Sequence, residues 1–387
     1  MSADQRLDAV RVAEGQPRSP VASWARGPIA QVLGVYAVVR LALLIADSLA
    51  AHVGYAGHLG GPLNSWDAHF YVTIAAHGYP ATLPTVDGHL TYSEAGFDPV
   101  FPLLIRIVAG TGLSFTVAAF VVSLIAGAVT AVLLYKLAAM LYDDTVGVRA
   151  AILFSVLPGM GVVWGVFYAE CVGLAFAAGS LLLMARGKWV AAGVLGALAS
   201  ATNPMGLPLV VPALVLAIQQ IVRREAPRAL IAAALVPVGF FGFALWLGIR
   251  YDNLLIWWKV QHEAWGATVD FGKSLILLLP HFWAGGYQGK AWLEWTDIVA
   301  VLAIAVFVWR ARLPLFLSAY SAGVVAMCFA SNQGLKPRLL TWAFPALIAL
   351  GVQLGLRAWQ TVVIAFAMLT PIVFLAYTTL GNTMIQP

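Results

Sequence analysis

Apolar residues fall in long runs, not in the one-sided stripes of a soluble helix. The runs cover about 28–49, 114–136, 147–165, 168–185, 189–203, 207–222, 229–249, 297–311, 313–330, 338–356 and 360–379. Each is long enough, or nearly so, to cross a hydrocarbon layer of about 30 Å as a helix. The pattern predicts an all-α polytopic membrane protein with about eleven transmembrane helices in one membrane domain, 28–380. A shorter apolar piece, about 100–110, is too short to span and reads as an interfacial or re-entrant helix.

Polar residues occupy the ends and two long interruptions. Residues 1–27 carry Arg6, Arg11, Arg18 and Arg26 and read as a disordered cytoplasmic tail; residues 381–387 form a short C-terminal tail. The run at 28–49 is too long for a cleaved signal peptide and has no small-residue cleavage pattern, so it reads as the first span. The interruptions are 50–98, expected to hold a helical segment, and 250–296.

Composition supports this reading. The 387 residues are 61% hydrophobic and 10% charged, against about 25% charged in soluble domains. That excludes a soluble globular enzyme, a disordered chain, a coiled coil and a collagen-like fibre. Cys171 and Cys328 both lie in apolar runs, which excludes a disulfide scaffold and a thiolate metal cluster.

The net charge of +5 is explained by span orientation, not by nucleic acid. With the N-terminus inside, Lys136, Arg149, Arg186, Lys188, Arg223, Arg224, Arg228, Arg310, Arg312 and Arg357 all fall in inside turns. Segments 50–98 and 250–296 then lie outside, with the turns near 166–170, 203–206 and 331–337. The inside turns are too short for a nucleotide-binding domain. There is no Gly-rich phosphate loop and no dinucleotide fingerprint. Chemistry is therefore expected on the outer side, with substrates delivered there on a lipid. Arg exceeds Lys and Ala and Val are abundant, which suggests a bacterial plasma membrane.

Five outer constellations carry candidate chemistry. Trp66 and Asp67 open a predicted short helix that Gly78 ends, with Asp67, Phe70, Tyr71 and Ile74 on one face. Asp67 can accept a proton from an attacking hydroxyl, or can simply be the acid that favours a helix N-terminus. Asp98 lies in Phe97-Asp98-Pro99-Val100-Phe101-Pro102, as a helix-entry cap or a site residue. Glu170 follows Tyr168-Ala169 at the outer end of a span, where a carboxylate is a functional candidate or a helix N-terminal acid. Gln261 and Trp265 lie in a Trp-rich segment that is an interfacial belt or a groove for a sugar or polyprenyl chain. Lys336 and Arg338 lie outside, against the charge rule, and either end a helix or hold a phosphate. His69, His77 and His89, with Asp67, Asp87, Glu94 and Asp98, match no ligand spacing, so no cofactor is expected, with a divalent metal as the lesser alternative.

These residues resemble a known group. Trp66-Asp67-Ala68-His69-Phe70-Tyr71, with Ile74-Ala75 and Gly78-Tyr79, is similar to an element of the glycosylphosphatidylinositol mannosyltransferase 2 family and its bacterial relatives, which are GT-C-type membrane glycosyltransferases. The stretch from Phe97 to Leu104, Tyr168-Ala169-Glu170, Gln261 with Trp265, and Pro337-Arg338 with Phe344-Pro345 resemble that family's further motifs, in order, over about 60–380. Three departures stand out: Asp98 where the family commonly has Phe, Ala169 for its Thr, and Asn203-Pro204 where it often has Arg-Pro.

The resemblance implies a GT-C-like fold and inverting transfer of mannose or a related sugar. The donor is a polyprenyl-phosphate carrier, and the acceptor is a hydroxyl on a lipid, glycan or protein. Asp67 is the implied catalytic residue. Arg338, then Lys336, are the candidates for the donor phosphate, and Trp66, Tyr71, Asp98, Glu170, Gln261 and Trp265 for the substrates. Membrane lipids are the other expected partners, and nucleic acid is not. A sugar or lipid transporter, or a relative without catalysis, is the alternative; a transporter would carry charges deep within spans, for which Arg40, Asp47 and Arg106 are the nearest candidates.

Overall fold

The computed structural model describes residues 27–52, 67–165, 167–278, 288–332 and 336–380. The chain is an all-α integral membrane protein. Among the described residues, four helical stretches are long and apolar enough to cross a membrane: Pro28–Ala46, Phe115–Leu141, Pro204–Val222 and Ala229–Arg250. Shorter apolar helices, such as Glu170–Ala185, Trp189–Ser200 and Leu315–Ala330, fill the bundle between and beside them.

In chain order the helices are α1 (Pro28–His52), α2 (Asp67–His77), α3 (Val100–Ala109), α4 (Phe115–Leu141), α5 (Asp144–Val156) and α6 (Pro158–Gly165). Next come α7 (Glu170–Ala185), α8 (Trp189–Ser200), α9 (Val210–Val222), α10 (Ala229–Arg250), α11 (Ile256–Trp265) and α12 (Lys273–Leu278). The last are α13 (Gln288–Ala311), α14 (Leu315–Ala330), α15 (Pro337–Leu340), α16 (Ala346–Gln353) and α17 (Leu356–Leu380). A two-residue hairpin, β1 (Thr85–Val86) with β2 (His89–Leu90), is the one sheet among the described residues.

Prolines account for most departures from the expected spans. The run at 147–165 is two helices, because Pro158 has no N–H to continue α5 and starts α6 instead. The run at 207–222 opens with a 3₁₀ turn, Pro204–Leu209, before α9. The run at 338–356 is α15, a 3₁₀ turn and α16, with Pro345 at the entry to α16. α13 begins at Gln288, so the outer segment expected at 250–296 is shorter.

Close helix contact relies on small residues. α8 and α10 cross where a Cβ on Gly239 would fall 1.8 Å from the Ala197 carbonyl oxygen. Beside Pro237, the Ser200 hydroxyl enters the α10 backbone: it donates to the Val236 carbonyl at 2.6 Å and accepts from the Phe240 N–H at 3.2 Å. A side chain inserted in this way satisfies backbone groups that lipid cannot.

The turns between α7 and α8 and between α9 and α10 carry Arg186 and Lys188, and Arg223, Arg224 and Arg228, and Arg357 stands in the first turn of α17. All lie at one end of the bundle. The N-terminus of α7 and the C-termini of α8 and α10 therefore share the other end. There α2 packs on α3, α3 on α4, and α11 on α10 and the hairpin. That end holds the predicted site.

Candidate active site

α2 starts at Asp67 and stops where Gly78, at φ 80°, turns out of the helix. Ala68, Tyr71, Ile74 and Ala75 form its buried face. Arg106 of α3 fixes the far end, donating to the Ala75 carbonyl at 2.6 Å and the Ala76 carbonyl at 3.1 Å. A cation at a helix C-terminus is favourable, so this arginine is a structural cap of α2.

The Asp67 carboxylate, at the N-terminal end of α2, meets Arg338 of α15. Arg338 Nη1 donates to Asp67 Oδ2 at 3.0 Å. The same nitrogen lies 3.6 Å from Glu170 Oε1, at the start of α7. Glu170 is 1% exposed, and neither of its carboxylate oxygens has a hydrogen-bond partner. Arg338 Nε is likewise buried without a partner. A buried carboxylate held by one cation and no hydrogen bond is costly, and such cost accumulates at functional sites.

Tyr168 lies beneath this pair. The Arg338 guanidinium sits 4.6 Å from the centre of its ring. Tyr168 is itself 1% exposed. Phe167, just before it, has φ 51°, a left-handed conformation that a bulky side chain adopts only under constraint. Trp342 is fully buried over Gly173 of α7, where an added Cβ would fall 2.4 Å from its ring.

Asp98 corrects one expectation. It does not cap α3: the N-cap is Pro99, with no side-chain hydrogen bond. Asp98 is 4% exposed and its Oδ1 has no partner. Burial pushes its carboxyl up to about 8, so it is mostly a neutral acid at pH 7. Tyr71 packs edge-on against Phe97 and Phe101, each at 5.1 Å, and lies in the field of Asp67, Glu170, Arg338 and Asp98.

Gln261 and Trp265 are one turn apart on α11 and grip one backbone segment. Gln261 Nε2 donates to the Gly96 carbonyl at 2.8 Å. A Cβ on Gly96 would fall 2.7 Å from the Trp265 ring, so only glycine admits that indole. Trp265 also meets Phe97 at 5.4 Å and Tyr92 at 5.0 Å. The loop after α2 is tied down by Arg250, which donates to the Tyr79 and Pro80 carbonyls, and by Glu263, whose Oε2 accepts from the Leu90 N–H at 2.7 Å. That amide and Lys259 hold the Glu263 carboxyl below its ordinary range.

The structure thus brings Asp67, Glu170, Arg338 and Tyr71 together and sets Gln261 and Trp265 against Gly96 and Phe97, the two residues before Asp98. Lys336 begins the turn into α15, its carbonyl accepting from Leu339 and Leu340. Trp66 and Asp47's side chain lie outside what is described. Arg40 is buried midway along α1, with its guanidinium over Phe120 at 5.8 Å. Among the described residues no three His, Cys, Asp or Glu side chains converge; His69 instead meets Phe70 edge-on. Tyr168 is the site residue that sequence reasoning passed over, although it stands two positions before Glu170.

The arrangement offers one cation between two carboxylates, a polar end to an otherwise apolar bundle, and a neutral acid nearby. Three comparisons bear on it. A family model described as dolichyl-phosphate-mannose-protein mannosyltransferase matches residues 96–247. Curated proteins give no match. Solved structures match over nearly the whole chain. ArnT from Cupriavidus metallidurans bound to undecaprenyl phosphate is 16% identical with TM-score 0.53, over 91% of this chain and 65% of that one. The Archaeoglobus fulgidus oligosaccharyltransferase in its apo form is 14% identical with TM-score 0.54, over 92% of this chain and 57% of that one. The same enzyme tethered to an acceptor peptide gives 0.51 at 14% identity, over 92% and 56%. The chain spans less than two thirds of the length of each of these structures. Its fold is that of the GT-C-type membrane glycosyltransferases.

Proposed function

We propose that this protein is an inverting glycosyltransferase that moves mannose, or a related sugar, from a polyprenyl-phosphate carrier to a hydroxyl acceptor. The reaction takes place at the outer face of a bacterial plasma membrane. The observation that carries the reading is the Asp67–Arg338–Glu170 cluster, with 3.0 and 3.6 Å contacts at the end of the bundle opposite the basic turns. The GT-C fold supports it. So does the undecaprenyl phosphate named for ArnT and the acceptor peptide named for the oligosaccharyltransferase.

The step is a single displacement. Asp67 accepts the proton of the acceptor hydroxyl as that oxygen attacks the anomeric carbon. The bond from the anomeric carbon to the phosphate oxygen breaks, and polyprenyl phosphate leaves with the electron pair. Arg338 meets the charge that grows on the leaving oxygen, where a fixed cation in a water-poor site is most effective. In the free protein Arg338 is engaged by Asp67. The donor phosphate competes for that guanidinium and releases the carboxylate for its task as base. Glu170 keeps Arg338 at the site throughout.

The test uses protein in liposomes with radiolabelled polyprenyl-phosphate-mannose and a lipid extract of the source cell. A labelled product separate from the carrier supports the transferase. Movement of carrier across the bilayer with no product would overturn it in favour of a transporter.

A further inference from the structure

Gly96 and Phe97 are held from two sides. Gln261 Nε2 of α11 donates to the Gly96 carbonyl, and the Tyr79 hydroxyl, just beyond α2, donates to the Phe97 carbonyl, both at 2.8 Å. The Trp265 ring fills the space over Gly96 that a Cβ would need. Between these anchors the Phe97 ring stacks on Phe70 at 4.7 Å and meets Tyr71 edge-on at 5.1 Å. Trp265 closes the group, edge-on to Phe97 at 5.4 Å and to Phe70 at 6.1 Å. Aromatic pairs in these geometries attract beyond their burial. Phe70 and Tyr71 stand three and four positions after Asp67, on its face of α2. A shift of Phe97 therefore moves the helix that carries Asp67. α11 itself is anchored, since Ile256 and Val260 bury against Phe243 and Leu247 of the span α10.

We propose that Gln261 and Trp265 are positioning residues: from α11 they brace Gly96 and Phe97, and through Phe97 they set where α2 holds Asp67. The proposal rests on the function assigned above. It departs from the sugar contact that residue type suggests, because the Gln261 amide and the Trp265 ring are both engaged by the chain itself. Proton transfer needs the base within about 2.6–3.2 Å of the hydroxyl it serves. A misplacement of about 1 Å costs on the order of 100-fold in rate. A brace therefore acts on turnover and leaves donor binding alone. A sugar contact would act on binding of the sugar-bearing carrier.

The experiment compares Gln261→Met and Gly96→Ala, singly and together, with the wild-type full chain in liposomes. Methionine keeps the length of the side chain and has no N–H for the carbonyl. The alanine Cβ meets the Trp265 ring from the other side of the same contact. Gln353→Met is the control: Gln353 of α16 donates to the Phe307 carbonyl of α13 at 2.8 Å, the same kind of bond at the basic end of the bundle. Four quantities are measured: kcat, affinity for polyprenyl-phosphate-mannose and for polyprenyl phosphate alone, melting temperature, and amide exchange along the chain. Each single variant at the brace should lower kcat roughly 10- to 100-fold, the range that a displaced base produces. Both affinities should stay within about twofold of wild type, as for an interaction that serves only the transition state. The double variant should be little worse than the poorer single one, because both changes break one contact. Amides of α2 should exchange about fivefold faster, the scale of one lost hydrogen bond, and those of α4 should not. Gln353→Met should keep wild-type kcat. Wild-type kcat in Gln261→Met overturns the proposal. So does an equal loss of kcat in Gln353→Met, which would reduce the effect to stability. Weaker binding of the sugar-bearing carrier alone returns Gln261 to the sugar and also overturns it. If wild type forms no product, the functional reading fails separately. Amide exchange then decides: faster exchange in Gln261→Met confined to α2 and residues 94–98 supports the brace, and unchanged exchange overturns it.

Discussion

Arg338 donates to Asp67 at 3.0 Å across 271 positions of sequence, and the same nitrogen reaches toward Glu170. One cation therefore answers two carboxylates, and the more deeply buried one has no other partner. This imbalance is poor for stability and suited to receiving a ligand whose phosphate brings its own charge to the guanidinium.

The first prediction concerns that imbalance. Arg338→Met strands Glu170 as a buried, unpaired carboxylate and should cost about 3–5 kcal/mol of stability. Adding Glu170→Gln to Arg338→Met should recover most of the loss, because a neutral amide pays a smaller burial penalty. Thermal melts of the purified variants in detergent check this. A double variant as unstable as Arg338→Met alone would show that Glu170 is not the strained partner.

A second prediction follows from Asp98. Its folded carboxyl titrates near 8, above the ordinary value of 3.8, so the folded chain binds the extra proton between these limits. Stability from this group is complete below about pH 4 and declines as pH rises toward 8. Asp98→Asn removes the decline. Melting temperatures of the two proteins from pH 5 to 9 should diverge, with the wild type falling behind the variant as pH rises. Parallel curves would refute the assignment.

The α8–α10 crossing gives a third. Gly239→Ala drives a Cβ into the Ala197 carbonyl, a backbone group that cannot move aside. The helices must separate, at a cost of roughly 1–3 kcal/mol or more. Gly242→Ala, three residues on with open space around its Cβ position, should be nearly neutral. Similar melting temperatures for the two variants would contradict the packing described.

The sequence makes the membrane bundle legible, because a span must be apolar along its whole length and its ends gather Lys and Arg. The short helix from Asp67 to Gly78 is equally legible, since an acid opens it and a glycine closes it. The breaks at Pro158 and Pro345 lie inside apolar runs, where hydropathy does not register them. The cluster itself is only partly visible. Asp67, Glu170 and Arg338 stand out as charges at span ends, and which of them touch depends on how α2, α7 and α15 pack. Tyr168 reads as one more interfacial aromatic, and its place against the Arg338 guanidinium appears only in three dimensions. Gln261 and Trp265 suggest a sugar contact by residue type, whereas their shared grip on Gly96 appears only in three dimensions.

The most direct test of the account is transfer by wild type and Asp67→Asn side by side, in liposomes with radiolabelled polyprenyl-phosphate-mannose and the cell's own lipid extract. Asparagine keeps the shape of the side chain and removes its basicity. Arg338 keeps Glu170 as a counter-charge in this variant, so the protein should still fold, which a thermal melt checks. The account predicts labelled product from wild type and a loss of at least about 100-fold in the variant, the scale of general-base catalysis. Equal product from both would contradict Asp67 as the base at the centre of this site.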